Sequence, residues 1–239
     1  VPELLVFIPA WNEERDLPRV LDEIHRELPD ADVLVVDDGS TDGTAEIARR
    51  AGAEVLSFGE NRGLASGIAA GYSWGESRGY EIVGRVDADG QHPVAELRRL
   101  IDEVRSGRCD VAVGSRFVHG EGYAAYRYRL HGARRFGTAL MRRVMRVVLR
   151  RPFGDPMSGM YAVNRRAMKL LSEPFTSEAP EVEALMRVTS EGLRLCEVPV
   201  DMRLREGGES KLVGRKAFAV VVTIVATLWA GRRMLLRRR

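Results

Sequence analysis

Asp87 and Asp89 are separated by one residue, and Gln91 follows two positions after Asp89, in the run Val86-Asp87-Ala88-Asp89-Gly90-Gln91-His92. Alternate residues on an extended backbone point the same way, so the two carboxylates and the amide oxygen can converge on one hard cation, Mg²⁺ or Mn²⁺. Such ions keep coordination positions for phosphate oxygens, and the chemistry on offer is capture of a diphosphate. A bare Asp-x-Asp is otherwise a turn capped by its own acids. Position favours the metal: the extended-looking run Tyr80 to Arg85 precedes the pair, and Pro93 opens an amphipathic helix after it. Other reactive residues occupy comparable places. Asp37 and Asp38 follow the apolar run Ala31 to Val36, Ser115 and Arg116 follow Asp110 to Gly114, and Asp155 opens a turn that feeds a short strand through Val163. Arg116 at a strand end is placed to clamp a phosphate, the alternative being an ordinary surface ion pair. Asp155 can orient or deprotonate an acceptor, the alternative being a turn former before Pro156. Glu181 and Glu183 begin a helix, where each either reaches the site or serves as a plain first-turn acid.

The elements that must hold these residues are legible from periodicity. Leu4 to Ile8 reads as a buried strand stopped by Pro9, and Leu17, Val20, Leu21, Ile24 and Leu28 line one face of a helix ending at Pro29. Strands at Ala31 to Val36, Ala53 to Phe58, Tyr80 to Arg85, Asp110 to Gly114 and Leu193 to Val198 alternate with helices around Ala45 to Ala48, Gly71 to Trp74 and Leu97 to Val104. The continuous apolar character of Ala31 to Val36 predicts a parallel strand covered on both faces. Repeated strand, helix, strand units predict an α/β fold, an open sheet with right-handed crossovers. Such sheets carry their sites outside the carboxyl ends of the strands, where Pro9 to Glu13, Asp37 and Asp38, and Asp87 to Gln91 all fall. No Gly-x-Gly-x-x-Gly follows the first strand and no Walker loop is present, which excludes the common dinucleotide and P-loop sites.

The chain has 239 residues, 45% hydrophobic and 30% charged, enough for one substantial core and an appendage. Two cysteines, Cys109 and Cys196, are far apart, form no metal-ligand pattern and do not imply a disulfide framework; a reducing compartment fits. The net charge is only +3, with basic residues concentrated at Arg127 to Arg151 and Arg232 to Arg239. With no zinc finger, recognition helix or aromatic-basic ladder, these patches point away from nucleic acid and toward an anionic membrane surface or a phosphorylated lipid. Gly120 to Tyr128, with three tyrosines and little periodicity, reads as a mobile loop over the site, and Arg129 to Arg151 as one long arginine-rich helix. Val1 to Pro9 is too short and poorly patterned for a secretory signal.

Several of these blocks together resemble glycosyltransferase family 2. They are Val6-Phe7-Ile8-Pro9-Ala10-Trp11-Asn12-Glu13-Glu14, Val35-Val36-Asp37-Asp38-Gly39-Ser40-Thr41-Asp42-Gly43-Thr44, Asn61-Arg62-Gly63, Asp87 to Pro93, Gly114-Ser115-Arg116 and Asp155-Pro156-Met157-Ser158-Gly159. Within the family they look most like the dolichyl- and polyprenyl-phosphate sugar synthases. The resemblance implies a GT-A fold over residues 1–212, Rossmann-like with a mostly parallel sheet flanked by helices, a nucleotide-sugar donor, a divalent metal and inversion at the anomeric carbon. It assigns Pro9, Trp11, Glu13 and Asp38 to the base and ribose of the donor, and Asp87, Asp89 and Gln91 to metal and diphosphate. Arg116 is assigned to the acceptor phosphate, with Ser158 beside it and one of Arg127, Arg129 or Arg134 as its partner. The segment Arg203 to Lys211 resembles an Arg-x-x-Gly-x-Ser-Lys signature with Arg205, Gly208, Ser210 and Lys211 in register, making Arg205 and Lys211 clamps on diphosphate or phosphate. Asp89, Arg116 and Asp155 are the expected catalytic residues.

From Ala217 to Gly231 fifteen uncharged residues run without a break, followed by Arg232-Arg233-Met234-Leu235-Leu236-Arg237-Arg238-Arg239. A crossing needs about 20 apolar residues, so residues 213–239 read as an interfacial helix, with arginines reaching anionic headgroups and Trp229 at the boundary. The expected protein is a peripheral or monotopic enzyme on the cytoplasmic face, acting alone or beside a separate integral membrane protein. Its expected reaction is transfer of a sugar from a UDP- or GDP-linked donor to a polyprenyl phosphate. Two alternatives stand beside it: transfer to a hydroxyl acceptor with Asp155 as general base, and a catalytically silent nucleotide-sugar or membrane-binding module.

Overall fold

The structure is a computed structural model that describes residues 2–118, 143, 146, 153–177 and 179–203. The expected tyrosine loop, most of the arginine-rich stretch and the C-terminal segment, with Arg127, Arg129, Arg134, Arg205 and Lys211, lie outside the described residues. The elements are β1 (Leu4–Ala10), α1 (Leu17–Glu27), β2 (Asp32–Asp37), α2 (Thr44–Arg50), β3 (Glu54–Ser57), α3 (Leu64–Arg78) and β4 (Ile82–Arg85). They continue with α4 (Val94–Arg105), β5 (Val111–Ser115), β6 (Tyr161–Asn164), α5 (Arg165–Leu171), α6 (Pro180–Ser190) and β7 (Leu195–Pro199). Every strand expected from periodicity is present. Helix α5 was not anticipated, although Asn164 marks its start by accepting the Ala167 N–H at 3.1 Å and Ala167, Met168 and Leu171 form its buried face.

Among the described residues the strands form one seven-stranded sheet in the order β3-β2-β1-β4-β6-β5-β7. All neighbours are parallel except β6, which runs antiparallel to both β4 and β5. The mostly parallel sheet is therefore observed, with one reversed strand inside it. This reversal matters for the site. A reversed strand is entered from the carboxyl edge of its neighbours, so the turn carrying Asp155 reaches the same edge as the ends of β1, β2, β4 and β5.

Alternation along the strands divides the core between the two faces of the sheet. Leu5 and Phe7 of β1 join Leu34, Val36, Val83, Val111, Val113 and Val163 under α3, α5 and α6, while Leu4, Val6, Ile8 and Ala10 join Val33, Val35, Ile82 and Ala112 under α1, α2 and α4. Helix α3 lies unusually close because small residues recur along its inner face. A Cβ at Gly71 would come within 2.6 Å of the Phe7 ring, which itself meets Tyr72 edge-on at 5.0 Å.

The sheet also corrects the reading of the cysteines. Cys109 and Cys196 pair as a disulfide, with Cα atoms 6.0 Å apart, because β5 and β7 are neighbours although 87 residues separate the two thiols in sequence. Among the described residues no helix is long and apolar enough to cross a membrane.

Candidate active site

Strand β4 ends at Arg85, and the chain turns through Val86 to Gly90 before α4. Four neighbours fix the acids in this turn. The Arg85 Nη2 lies 3.3 Å from Asp87 Oδ1, and the Asp87 N–H donates to His92 Nδ1 at 3.1 Å. Gln91 donates its backbone N–H to Asp89 Oδ1 at 3.1 Å and its side-chain amide to Asp89 Oδ2. Gly159, arriving on the turn before β6, lies so close to Asp87 that an added Cβ would overlap Oδ2 and come within 2.9 Å of Cγ. Burial alone pushes the Asp87 carboxyl up, but Arg85 beneath it and Arg116 across the site hold it below the usual carboxylate range. His92 is buried, which keeps it neutral despite the nearby acids, in agreement with a ring nitrogen that accepts the Asp87 N–H.

Two carboxylates beside an amide are a hard-oxygen donor set, and only a residue without a side chain, Gly159, lets the turn before β6 pass this close to Asp87 Oδ2, which has the His92 ring 3.8 Å away. Among the described residues no cluster of three or more His, Cys, Asp or Glu side chains completes a metal cage. The set fits a divalent ion of the Mg²⁺ or Mn²⁺ kind whose remaining positions are filled by phosphate oxygens. Gln91 has a further part here, since its amide nitrogen orients Asp89.

Across the edge, Arg116 and Asp155 are partners. The guanidinium forms a two-pronged pair with the carboxylate, Nε to Oδ2 at 2.6 Å and Nη2 to Oδ1 at 2.8 Å, and the Arg116 N–H adds a third bond at 3.2 Å. Asp155 is 1% exposed and the Arg116 side chain 23%, so a buried acid holds a partly exposed cation. The turn itself is clamped by Glu197 of β7, which accepts the N–H groups of Gly154 at 2.8 Å and Asp155 at 3.0 Å. Burial keeps the Glu197 carboxyl above its ordinary range even though these donors pull it down. Ser158 is 1% exposed and its hydroxyl accepts the Met160 N–H at 3.3 Å, so it shapes the turn.

The donor side is built from two interlocked loops. Asn12, in the left-handed region at φ 54°, donates its N–H to Ser40 Oγ at 2.9 Å and accepts the Thr41 N–H at 2.8 Å. The Glu13 N–H donates to Thr44 Oγ1 at 2.9 Å, and Glu14 accepts the Gly43 N–H at 2.8 Å. Pro9 is buried at the end of β1 and Trp11 stands 41% exposed just beyond it, an apolar face on the rim of the edge. Asp38 is buried, with its oxygens on the N–H groups of Arg62 at 2.6 Å and Gly63 at 2.9 Å, so it binds the 61–63 loop to the β2 end.

The sequence-predicted residues Pro9, Trp11, Glu13, Asp38, Asp87, Asp89, Gln91, Arg116 and Asp155 thus share one edge of the sheet. Arg85, Gly159 and Glu197 escaped the sequence reading as site residues. Arg85 was within reach, since it lies two residues before Asp87 on the same strand face; Glu197 carried no local signal. Glu181, left open between two readings, sits beneath the site 3.0 Å from Arg85, whereas Glu183 turns to Arg187 and the N–H groups of Thr176 and Ser177.

This arrangement has relatives. Residues 5–170 match the model of the family Glycosyl transferase family 2. The chain is 31% identical to the polyprenol monophosphomannose synthase of Mycolicibacterium smegmatis, over 88% of this chain and 81% of that protein. It is 33% identical to the undecaprenyl-phosphate mannosyltransferase of Micrococcus luteus, over 96% of this chain and 97% of that one. Among solved structures, the glucosyl-3-phosphoglycerate synthase of Mycobacterium tuberculosis, in complex with Mn²⁺, UDP-glucose and phosphoglyceric acid, superposes with a TM-score of 0.71 at 22% identity, covering 95% of this chain and 80% of that one. With its family model matched over most of its length and its acids on the edge that a GT-A-like α/β fold uses, the chain belongs to glycosyltransferase family 2.

Proposed function

We propose that the protein is a metal-dependent, inverting glycosyltransferase that moves a hexose from a nucleotide-sugar donor to the phosphate of a polyprenyl lipid. The observation that carries this reading is the Arg116–Asp155 pair. Both Asp155 oxygens are engaged by one guanidinium, so the acid serves to aim a cation rather than to take a proton. A phosphate monoester is already an anion near neutral pH and needs an electrostatic clamp, not a strong base. The names of the two curated relatives, polyprenol monophosphomannose synthase and undecaprenyl-phosphate mannosyltransferase, support the same acceptor.

Within this reading Trp11 stacks on the base, the zipped 11–16 and 38–43 loops frame the ribose, and Asp87 and Asp89 hold Mg²⁺ or Mn²⁺. Bound there, the cation neutralises charge on the departing nucleoside diphosphate. Arg116 fixes the acceptor phosphate on the opposite face of the sugar, and Arg129, Arg134, Arg205 and Lys211 are proposed to extend the anion-binding surface. Residues 213–239 are proposed to lie against an anionic membrane at its cytoplasmic face, with or without a separate integral membrane protein.

A second reading shares the donor and the cation but transfers to a hydroxyl on a small phosphate-bearing acid. The solved structure holding UDP-glucose and phosphoglyceric acid supports it, with Asp155 released from Arg116 to act as base. The full chain incubated with Mn²⁺, a panel of UDP- and GDP-sugars, and either polyprenyl phosphate or 3-phosphoglycerate separates the two. Lipid-linked sugar is the expected product. Sugar on phosphoglycerate alone would establish the second reading, and donor binding without transfer to either would leave a silent module. Asp155→Asn sharpens the comparison: it loosens Arg116 and lowers lipid transfer by about tenfold, whereas loss of a general base lowers hydroxyl transfer by roughly 10²–10⁴.

A further inference from the structure

Arg85 is 2% exposed, and one of its nitrogens faces two acids: Nη2 lies 3.0 Å from Glu181 Oε1 and 3.3 Å from Asp87 Oδ1. Glu181 belongs to the first turn of α6, distant in sequence from the Asp87 turn, and is itself buried. The rest of the surroundings offers the guanidinium little. Its Nε has no hydrogen-bond partner among the described residues, nor does the Tyr161 hydroxyl, although Tyr161 sits opposite Arg85 in the β4–β6 register. Burial keeps the phenols of Tyr161 and Tyr72 well above their usual range, hence neutral, so neither takes up the arginine's charge. A guanidinium is not deprotonated in proteins, so Arg85 keeps its charge here against the Glu181 and Asp87 carboxylates.

We propose that Glu181 is a positioning residue for the cation-binding acid Asp87: by holding the Arg85 guanidinium on its own side, it leaves Asp87 Oδ2 for a divalent ion. The geometry states the division. Arg85 touches Oδ1, whereas the neighbours of Oδ2 are the Gly159 backbone and, at 3.8 Å, the His92 ring. Without the Glu181 charge, Asp87 becomes the arginine's remaining acid partner among the described residues, and two consequences have the same sign. The guanidinium moves toward both Asp87 oxygens, and the net charge beneath the site rises by one; each disfavours a cation. Glu181 therefore acts through Arg85 and touches neither donor nor acceptor.

This inference rests on the metal reading given above, and the experiment keeps the two apart. Mn²⁺ binding by the full chain is measured by electron paramagnetic resonance, and UDP and GDP binding by calorimetry with Mn²⁺ and in EDTA, for the wild type, Asp89→Ala, Glu181→Gln and Glu181→Asp. Glu181→Gln is expected to weaken Mn²⁺ binding by about tenfold, with nucleotide binding in EDTA unchanged. Glu181→Asp keeps the charge and is expected to fall between Gln and wild type; it carries the test if the Gln variant fails to fold. Thermal melting of each variant registers a merely structural loss, which would not separate Mn²⁺ affinity from EDTA-resistant nucleotide binding. Mn²⁺ affinity equal to wild type in a folded Glu181 variant, beside a clear loss in Asp89→Ala, overturns the role of Glu181 and leaves the metal site standing. No Mn²⁺ dependence in the wild type overturns the metal reading and this inference with it.

Discussion

Asp87 is held from three directions, by Arg85 below, by the His92 ring against its N–H, and by Gly159 across the turn. That crowding makes Gly159 a residue whose missing side chain has a function. Its close approach means that Gly159→Ala must displace the Asp87 carboxylate, since a Cβ would overlap Oδ2. Misplacement of a ligand by about 1 Å costs on the order of 10²-fold in rate. Gly159→Ala is therefore expected to lower metal-dependent transfer by about that factor while the melting temperature falls only a few degrees; full activity in a steady-state assay would show that Asp87 tolerates the shift. The paired aspartates were readable because their spacing is local and their chemistry is specific to oxygen-loving cations. The reach of Gly159 was not, because closeness between residues 72 positions apart depends on the strand pairing between them.

The three strands on one side of the sheet, β5, β6 and β7, are tied at their far end by Asp110. Its carboxylate accepts the Arg194 N–H at 2.7 Å and the Asn164 side-chain amide at 2.8 Å, with the Arg194 guanidinium at 3.3 Å. Burial pushes this carboxyl up, but the Arg194 and Asn164 donors outweigh it and hold the folded value below the ordinary one. The sign of the linkage follows. A depressed folded pKa contributes stability that is fully present above the unfolded value, near pH 4, and is lost as pH falls through the folded value. Asp110→Asn is expected to cost about 1–3 kcal/mol at neutral pH, and the gap to wild type should narrow as the urea midpoint is followed from pH 7 down toward about pH 3. A gap that stays constant with pH would mean that the ionised form of Asp110 adds nothing to the knot. Neutral-pH periodicity in the sequence located β5 and β7, yet it carried no sign that Asp110 joins them, since each partner comes from a different stretch of chain.

For the molecule as a whole, the central strand β1 couples both layers of core, and its carboxyl end carries the donor-side loop. Phe7 fills the layer under α3, fully buried against Gly71 and Tyr72. Phe7→Ala leaves a cavity that the close-lying helix cannot collapse into without moving the loops at the end of β1. The expected loss is about 3–5 kcal/mol, read as a fall in the urea midpoint with the slope unchanged. A shift of less than about 1 kcal/mol would indicate that α3 repacks freely.

What the sequence determined by itself was whatever depends on neighbours along the chain. Apolar runs, their periods and the residues that stop them located the seven strands of the described residues, and the sheet rule then sent Asp38, Asp87, Asp89 and Arg116 to one edge before any contact was seen. What only the tertiary structure decided was pairing across the sheet. The reversed direction of β6 brings the Asp155 turn onto Arg116, the adjacency of β5 and β7 joins Cys109 to Cys196 and sets Glu197 under the turn, and α6 lays Glu181 beneath Arg85. Such partners carry no shared pattern in the chain, because a hydrogen bond or ion pair acts over a few ångströms of space and is indifferent to how many residues of backbone lie between its ends.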